Sequence, residues 1–220
     1  MSVAKKINPL NLINLLFPES CRMCNTVCQQ CICRQCLAPF KSLNWKTVNG
    51  VNTVSDYHEG IFKDVLHDIK FNRNKRLGTL LGTAIAAHIP CVPHIDAIWI
   101  PVPFHHRRIE SRGFNVLDVL FNPLLKRFNI KSHDVVRRIQ ATPHLHGLTR
   151  TKRFELMANC FGLAPTFQPH LITNRQIVIY DDIVTTGATI QSIRLLLEPF
   201  QPKSCHVVAL SVTGLNVTTV

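Results

Sequence analysis

The chain has 220 residues, 46% hydrophobic and 17% charged, a composition that fits one domain with a buried core and a small appendage and excludes a disordered tail. Twenty-five Lys and Arg against 13 Asp and Glu give a formal charge of +12, which suits polyanions or phosphorylated small molecules, although a basic solvated surface has the same count. No stretch approaches the roughly 20 apolar residues of a membrane span, so stable membrane insertion is not expected.

The first 20 residues, MSVAKKINPLNLINLLFPES, place Lys5 and Lys6 ahead of Leu10, Leu12, Ile13, Leu15, Leu16 and Phe17. Asn11 and Asn14 interrupt the apolar run and no small-residue cleavage site follows. A short amphipathic helix packed on the protein is expected rather than a secretory signal, with the cytoplasm as the location.

Six of the nine cysteines lie in CRMCNTVCQQCICRQC, as the pairs Cys21/Cys24, Cys28/Cys31 and Cys33/Cys36. Two-residue spacing lets both thiolates of a pair point into one tetrahedral site, so two pairs make a closed structural zinc site. Cys21, Cys24, Cys33 and Cys36 are the expected ligands. Eight residues separate those two pairs, room for the chain to turn back, whereas three separate Cys24 from Cys28. Cys28 and Cys31 are then surplus. A disulfide framework is disfavoured in a reducing cytosol, and an iron–sulfur cluster is the other reading of the same thiols. Cys91, Cys160 and Cys205 stand singly among apolar residues, as buried small hydrophobes do.

Beyond the cysteines, a short alternating run covers 51–57, and helical spacing follows through Ile61, Phe62, Val65, Leu66 and Ile69 and again from Leu77 to Ile89. The run AIWIPVP reads as a buried strand stopped by Pro101 and Pro103. A helix is expected from Asn115 to Phe128, then a short strand near Val135 and Val136, then a basic stretch from Arg137 to Asn159. In the last third, QIVIY is a strand, ATIQSIRLLLEPF a helix and SCHVVALSV another strand. Such alternation predicts an α/β domain with a mostly parallel sheet.

Ligands of parallel sheets bind beyond the carboxyl ends of the strands, where loops enter helices. The segment DDIVTTGAT has that position, with Asp181 as the first residue of the predicted loop. Thr185, Thr186, Gly187 and Thr189 offer hydroxyls, backbone donors and a residue without Cβ, which suits a phosphate monoester at a helix start. Asp181 and Asp182 would repel that phosphate. They fit better as acceptors for two vicinal ribose hydroxyls, with a divalent cation offsetting their charge. No G-x-x-x-x-G-K-[ST] or G-x-G-x-x-G is present. An Asp-capped helix start would account for one Asp and one Thr only.

VIYDDIVTTGATI resembles the 5-phosphoribosyl 1-pyrophosphate (PRPP) signature of type I phosphoribosyltransferases. With LLFPESCRMC, DIKFNRN, PVPFHHRRIESRGFN and HGLTRTKR in order, nearly the whole chain resembles the ComF family, including its GntX-like members. The resemblance implies an α/β fold of the type I phosphoribosyltransferase kind, a mostly parallel sheet flanked by helices. A zinc-binding knuckle over residues 1–45 would precede a phosphoribosyltransferase-like domain over 46–220, with a hood at about 137–160.

It implies that Asp181 and Asp182 hold the ribose hydroxyls, that Val184 to Thr189, with Ala188 among them, hold the 5′-phosphate, and that magnesium accompanies PRPP. Pro101, Val102 and Pro103 would form the pyrophosphate loop, with Arg107, Arg108 and Arg112 beside it, where bidentate guanidinium groups stabilise the departing pyrophosphate. It assigns no catalytic residue. Relatives carry a Gln three residues after the threonine matched by Thr142 and an Asn three after the arginine matched by Arg153; here Leu145 and Leu156 occupy those places, and neither offers an amide's paired donor and acceptor.

The function implied is PRPP binding in natural competence, with uptake and handling of transforming single-stranded DNA and a competence helicase or recombination mediator as partners. Two alternatives are an active phosphoribosyltransferase of nucleotide or cofactor metabolism and a GntX-like metal-cluster assembly factor, the latter motivated by the surplus cysteines.

Overall fold

Strand β6, Gln176–Val184, lies inside the sheet: seven of its nine residues are buried, six of them in an unbroken run from Ile177 to Asp182. A strand buried on both faces reads as an unbroken apolar run, as in parallel sheets whose two faces are covered by helices. In a computed structural model, which describes residues 19–56, 62–140 and 160–213, β6 pairs in parallel with β3, Ile98–Pro101, on one side and with β7, Ser204–Val212, on the other. β7 in turn pairs in parallel with β2, Val51–Asp56, and β1, Lys46–Val48, closes the edge as the antiparallel arm of a hairpin with β2. The five-stranded order is β1-β2-β7-β6-β3. The mostly parallel α/β sheet expected from the sequence is therefore present.

Six α-helices connect these strands among the described residues: α1, Arg34–Leu37; α2, Phe62–Phe71; α3, Lys75–His88; α4, His106–Arg112; α5, Val116–Arg127; and α6, Ala188–Leu197. Asn74 caps α3 and Asn115 caps α5, each accepting a backbone N–H of the first turn at 3.0 Å, which satisfies a donor that the helix itself cannot. α5 meets the sheet through Phe121, whose ring lies 4.8 Å from that of Tyr180 on β6. Tyr180 also packs on Trp99 of β3, and its hydroxyl shares a 2.9 Å hydrogen bond with Ser132. Burial pushes the Tyr180 phenol up to about 12, so it stays neutral in that contact.

α3 and α5 cross closely because Gly82 has no side chain. A Cβ there would stand 2.4 Å from the Val119 carbonyl oxygen and 2.7 Å from that of Leu120, and backbone cannot yield as a side-chain tip would. Gly82→Ala is expected to cost about 1–3 kcal/mol through overpacking. A lowered denaturant midpoint at unchanged m-value would register it.

Two differences from the sequence reading bear on function. β6 continues through Asp181 and Asp182 to Val184, because β7 is equally long and pairs with it as far as Val212; the loop therefore begins at Thr185, not Asp181. Helix α4 was not expected. It buries no side chain, so it has no apolar periodicity to read. A small ribbon, β4 (Val136–Arg138) with β5 (Phe161–Leu163), holds the two described ends of the predicted hood together, and Ile139 N–H donates to the Cys160 carbonyl at 2.8 Å. The expected N-terminal helix, and Leu145 and Leu156 in the hood, lie outside the described residues. No helix of the described residues is long and apolar enough to cross a membrane.

Candidate functional site

At its N-terminal end the chain folds around sulfur. Ser20 and Val27 bridge in antiparallel fashion, Cys21 N–H donates to Thr26 O, Arg22 N–H donates to Cys31 O at 3.0 Å and Cys33 N–H donates to Cys21 Sγ, so the first cysteine pair is folded against the third. The Sγ atoms of Cys21, Cys24, Cys33 and Cys36 all lie within 4.8 Å of one another, with Cys24 and Cys33 3.7 Å apart. Four thiols at that separation could hold one metal ion.

The backbone prepares the sulfurs for charge. Cys21 Sγ accepts N–H groups from Met23 at 3.4 Å and Cys33 at 3.3 Å, and Cys33 Sγ caps α1 by accepting Cys36 N–H. Burial opposes ionisation of Cys21, but the N–H donors outweigh it and leave the thiol below its ordinary value. The Thr26 hydroxyl, 3.3 Å away, draws the Cys24 thiol down to about 6. Cys28 is turned to the Gln30 carbonyl instead, and burial pushes the Cys31 thiol up. Neither belongs to the group of four.

The second site gathers at the carboxyl end of β6. Asp182 is 3% exposed, and its Oδ1 accepts the Lys70 ammonium at 2.8 Å. Its Oδ2 is buried without a hydrogen-bond partner. Asp181 is also buried, and its Oδ1 accepts the Asp182 backbone N–H at 2.8 Å. Burial first, and then the neighbouring Asp182 charge, hold the Asp181 carboxyl well above the usual carboxylate range, with Lys70 pulling the other way.

Past Val184 the chain turns through exposed Thr185 and half-buried Thr186 to Gly187, which sits at φ 74° as the residue before α6. That left-handed conformation is what glycine adopts without strain. Gly187 has no side chain with which to cap α6, and of its first-turn N–H groups that of Ala188 donates to Thr186 Oγ1 at 3.4 Å. Thr189 lies half-buried in the same turn.

Opposite this turn, Pro101 ends β3 and Val102 N–H continues the ladder to Tyr180 O at 2.9 Å, so the Pro101-Val102-Pro103 segment leaves the sheet beside β6. It enters α4 at His105, whose Nδ1 accepts the Arg107 N–H. Arg107 and Arg108 are exposed on α4, and Arg112 is half-buried at its end. Arg112 Nε donates to the Lys70 carbonyl at 2.9 Å and its guanidinium lies 6.0 Å from the Phe104 ring. Burial lowers Arg112, the Asp182 charge opposes that, and Arg108 adds to it. Arg138 on β4 is lowered by burial and by Arg108, against the pull of Cys160 and Asp181. The three predicted arginines thus share α4; Arg112 lies in the field of Asp182, and Arg108 acts on Arg112 and Arg138.

Sequence reasoning missed two cations here. Lys70 lies in DIKFNRN but 112 residues from Asp182, and nothing local signals that pairing. Arg138 reads as one more charge in a basic stretch. What the arrangement offers chemically is a pair of carboxylates, a helix start and several cations, all at strand ends: acceptors for hydroxyls beside donors for phosphate oxygens.

No protein-family model matches the chain. It is 29% identical over 194 residues to the DNA utilization protein YhgH of Escherichia coli, covering 81% of each chain, and 33% identical over 99 residues to Competence protein F of Haemophilus influenzae, covering 44% of this chain and 42% of that one. A solved hypoxanthine phosphoribosyl transferase of Trypanosoma cruzi matches at 15% identity and a TM-score of 0.32, over 64% of this chain and 63% of that one. YhgH and Competence protein F are homologues of this chain, in keeping with the ComF resemblance of its motifs.

Proposed function

We propose that the chain binds PRPP with magnesium at the carboxyl end of β6, carries a structural zinc ion in its cysteine knuckle, and serves the uptake and handling of single-stranded DNA. The observation that carries the first part is the buried Asp181–Asp182 pair at the end of a central parallel strand, immediately before the start of α6. In this reading the two acids accept the ribose hydroxyls, the turn from Val184 to Thr189 takes the 5′-phosphate, and Arg108 and Arg112, with Arg107 at the rim, face the pyrophosphate. The orphaned Oδ2 of Asp182 is a ligand of the hard oxygen type that magnesium prefers. When bound, magnesium would offset the charge of the acids and of the pyrophosphate.

Zinc is favoured for the knuckle because all four donors are thiols within 4.8 Å of one another, and four thiolates leave no open position for a substrate. The DNA-handling part rests on the names of YhgH and Competence protein F and on charge. The +12 balance is joined on the surface by Phe71, 67% exposed, next to exposed Arg73, Lys75 and Arg76. An aromatic face among cations suits a single strand, whose bases stack while its phosphates pair. A helicase or recombination mediator of the competence machinery is the proposed protein partner, and the cytoplasm the proposed location.

The test is a transformation assay in a strain whose only copy carries Asp181→Ala and Asp182→Ala with the knuckle intact. Transformation is expected to fall at least about tenfold, because the double change removes both hydroxyl acceptors, each hydrogen bond to a charged group contributing about 1.5–3 kcal/mol. Unchanged transformation with normal protein levels would separate the sugar-phosphate site from the biological role.

A further inference from the structure

Lys70 is attached to both halves of the site at once. Its ammonium lies 2.8 Å from Asp182 Oδ1, and its main-chain carbonyl accepts Arg112 Nε at 2.9 Å. One residue of α2 therefore joins a carboxylate of β6 to an arginine of α4. Its side chain is 18% exposed and that of Asp182 4%, so the pair is shielded from water and its mutual attraction is only partly screened.

The position of Lys70 is fixed from behind. Phe62, Val65, Leu66 and Ile69 bury one face of α2. Asp68, in the last turn of α2, accepts the side-chain amides of Asn72 at 2.6 Å and Asn74 at 2.7 Å from just past its end. Asn74 caps α3 in turn, which locks the bend between the helices.

We propose that Lys70 is the built-in counter-cation of the acidic pair: it neutralises Asp182, holds Arg112 in register with it, and occupies the place where a divalent cation would otherwise settle in the absence of ligand. Two carboxylates sheltered from water, one with an orphaned oxygen, would otherwise attract such a cation by themselves. With the ammonium in contact, a second cation at Oδ2 meets repulsion at close range. Metal is then expected to enter with the anion of the ligand and not before it. What the ligand is rests on the PRPP reading; the role of Lys70 toward the metal does not.

The experiment titrates Mn2+, as a paramagnetic stand-in for magnesium, into the full zinc-loaded chain without any sugar phosphate, and reads free Mn2+ by electron paramagnetic resonance. Lys70→Met is expected to bind Mn2+ at least about tenfold more tightly than the wild type, with Lys70→Arg unchanged. Asp182→Asn added to Lys70→Met should abolish the gain, which a merely structural lysine would not produce. Lys70→Gln keeps a donor toward Asp182 Oδ1 and carries the same expectation should Lys70→Met not fold. Equal Mn2+ affinity in wild type and a folded Lys70→Met or Lys70→Gln would overturn the proposal. A gain in Mn2+ affinity in a protein that does not bind PRPP supports the Lys70 role and overturns only the ligand reading.

Discussion

Cys21→Ser is expected to release the metal from the knuckle and unfold it, whereas Cys28→Ser should leave one metal ion per chain. Cys21 is fully buried, and its sulfur accepts two backbone N–H groups and lies within 4.8 Å of the other three thiols. Cys28 is turned away to the Gln30 carbonyl. Structural zinc in small sites supplies apparent binding energies of about 10–16 kcal/mol, which is folding energy for the segment that holds it. Regular secondary structure adds little to this one. Residues 19–37 contain one helix of four residues and no strand longer than a single bridge.

The effect should extend into the body of the protein. Phe40 follows the knuckle directly, is fully buried, and its ring stands 4.9 Å from that of Phe62 on α2, the helix that bears Lys70. Metal content by elemental analysis and the thermal midpoint are the measurements. Wild type and Cys28→Ser should both hold one zinc and melt together, with Cys21→Ser holding none and melting lower by many degrees.

The second large effect concerns two adjacent residues of the same type with opposite expected signs. Asp181→Asn should stabilise the protein by about 0.5–2 kcal/mol, as relief of a strained functional group commonly does. The Asn keeps an Oδ1 acceptor for the Asp182 N–H and removes an ionisation that burial and Asp182 both oppose. Asp182→Asn should destabilise by about 1–3 kcal/mol, since it leaves the mostly buried Lys70 ammonium without its carboxylate.

The pH dependence follows from the raised carboxyl of Asp181. Below the unfolded value of about 4, both folded and unfolded chains hold that proton and the group is neutral to stability. As pH rises through the higher folded value, the unfolded chain has already given up its proton and the folded wild type is penalised. Asp181→Asn has no such penalty. The gap between its denaturant midpoint and that of the wild type should therefore widen from pH 4 upward. Both variants are expected to lose PRPP affinity, so the same substitution raises stability and removes binding at Asp181.

Legibility in the sequence followed the kind of interaction involved. The apolar run through Tyr180 and its β-loop-α-β setting read directly, because burial on both faces leaves a continuous hydrophobic stretch. Cys21, Cys24, Cys33 and Cys36 read equally well, since paired two-residue spacings are a local constraint and the Cys28/Cys31 pair could be set aside by gap length alone. What escaped was non-local or lacked a pattern. The extension of β6 over Asp181 to Val184 depends on the length of β7, which the segment itself does not encode. Helix α4 carries a single apolar residue, Ile109, and no apolar periodicity, so Arg107, Arg108 and Arg112 could be named without knowing that a helix presents them. The Lys70–Asp182 pair spans most of the domain in sequence, and only the packing of α2 brings its members together.

The most direct measurement is calorimetric titration of the folded, zinc-loaded chain with PRPP in the presence of magnesium. A sugar-phosphate site at the carboxyl end of β6 requires one PRPP bound per chain, with the heat lost when Asp181→Asn and Asp182→Asn are combined. No binding by the wild type at PRPP concentrations on the order of 1 mM, equivalent to less than about 4 kcal/mol of binding energy, would contradict it, as would unchanged affinity in the double variant.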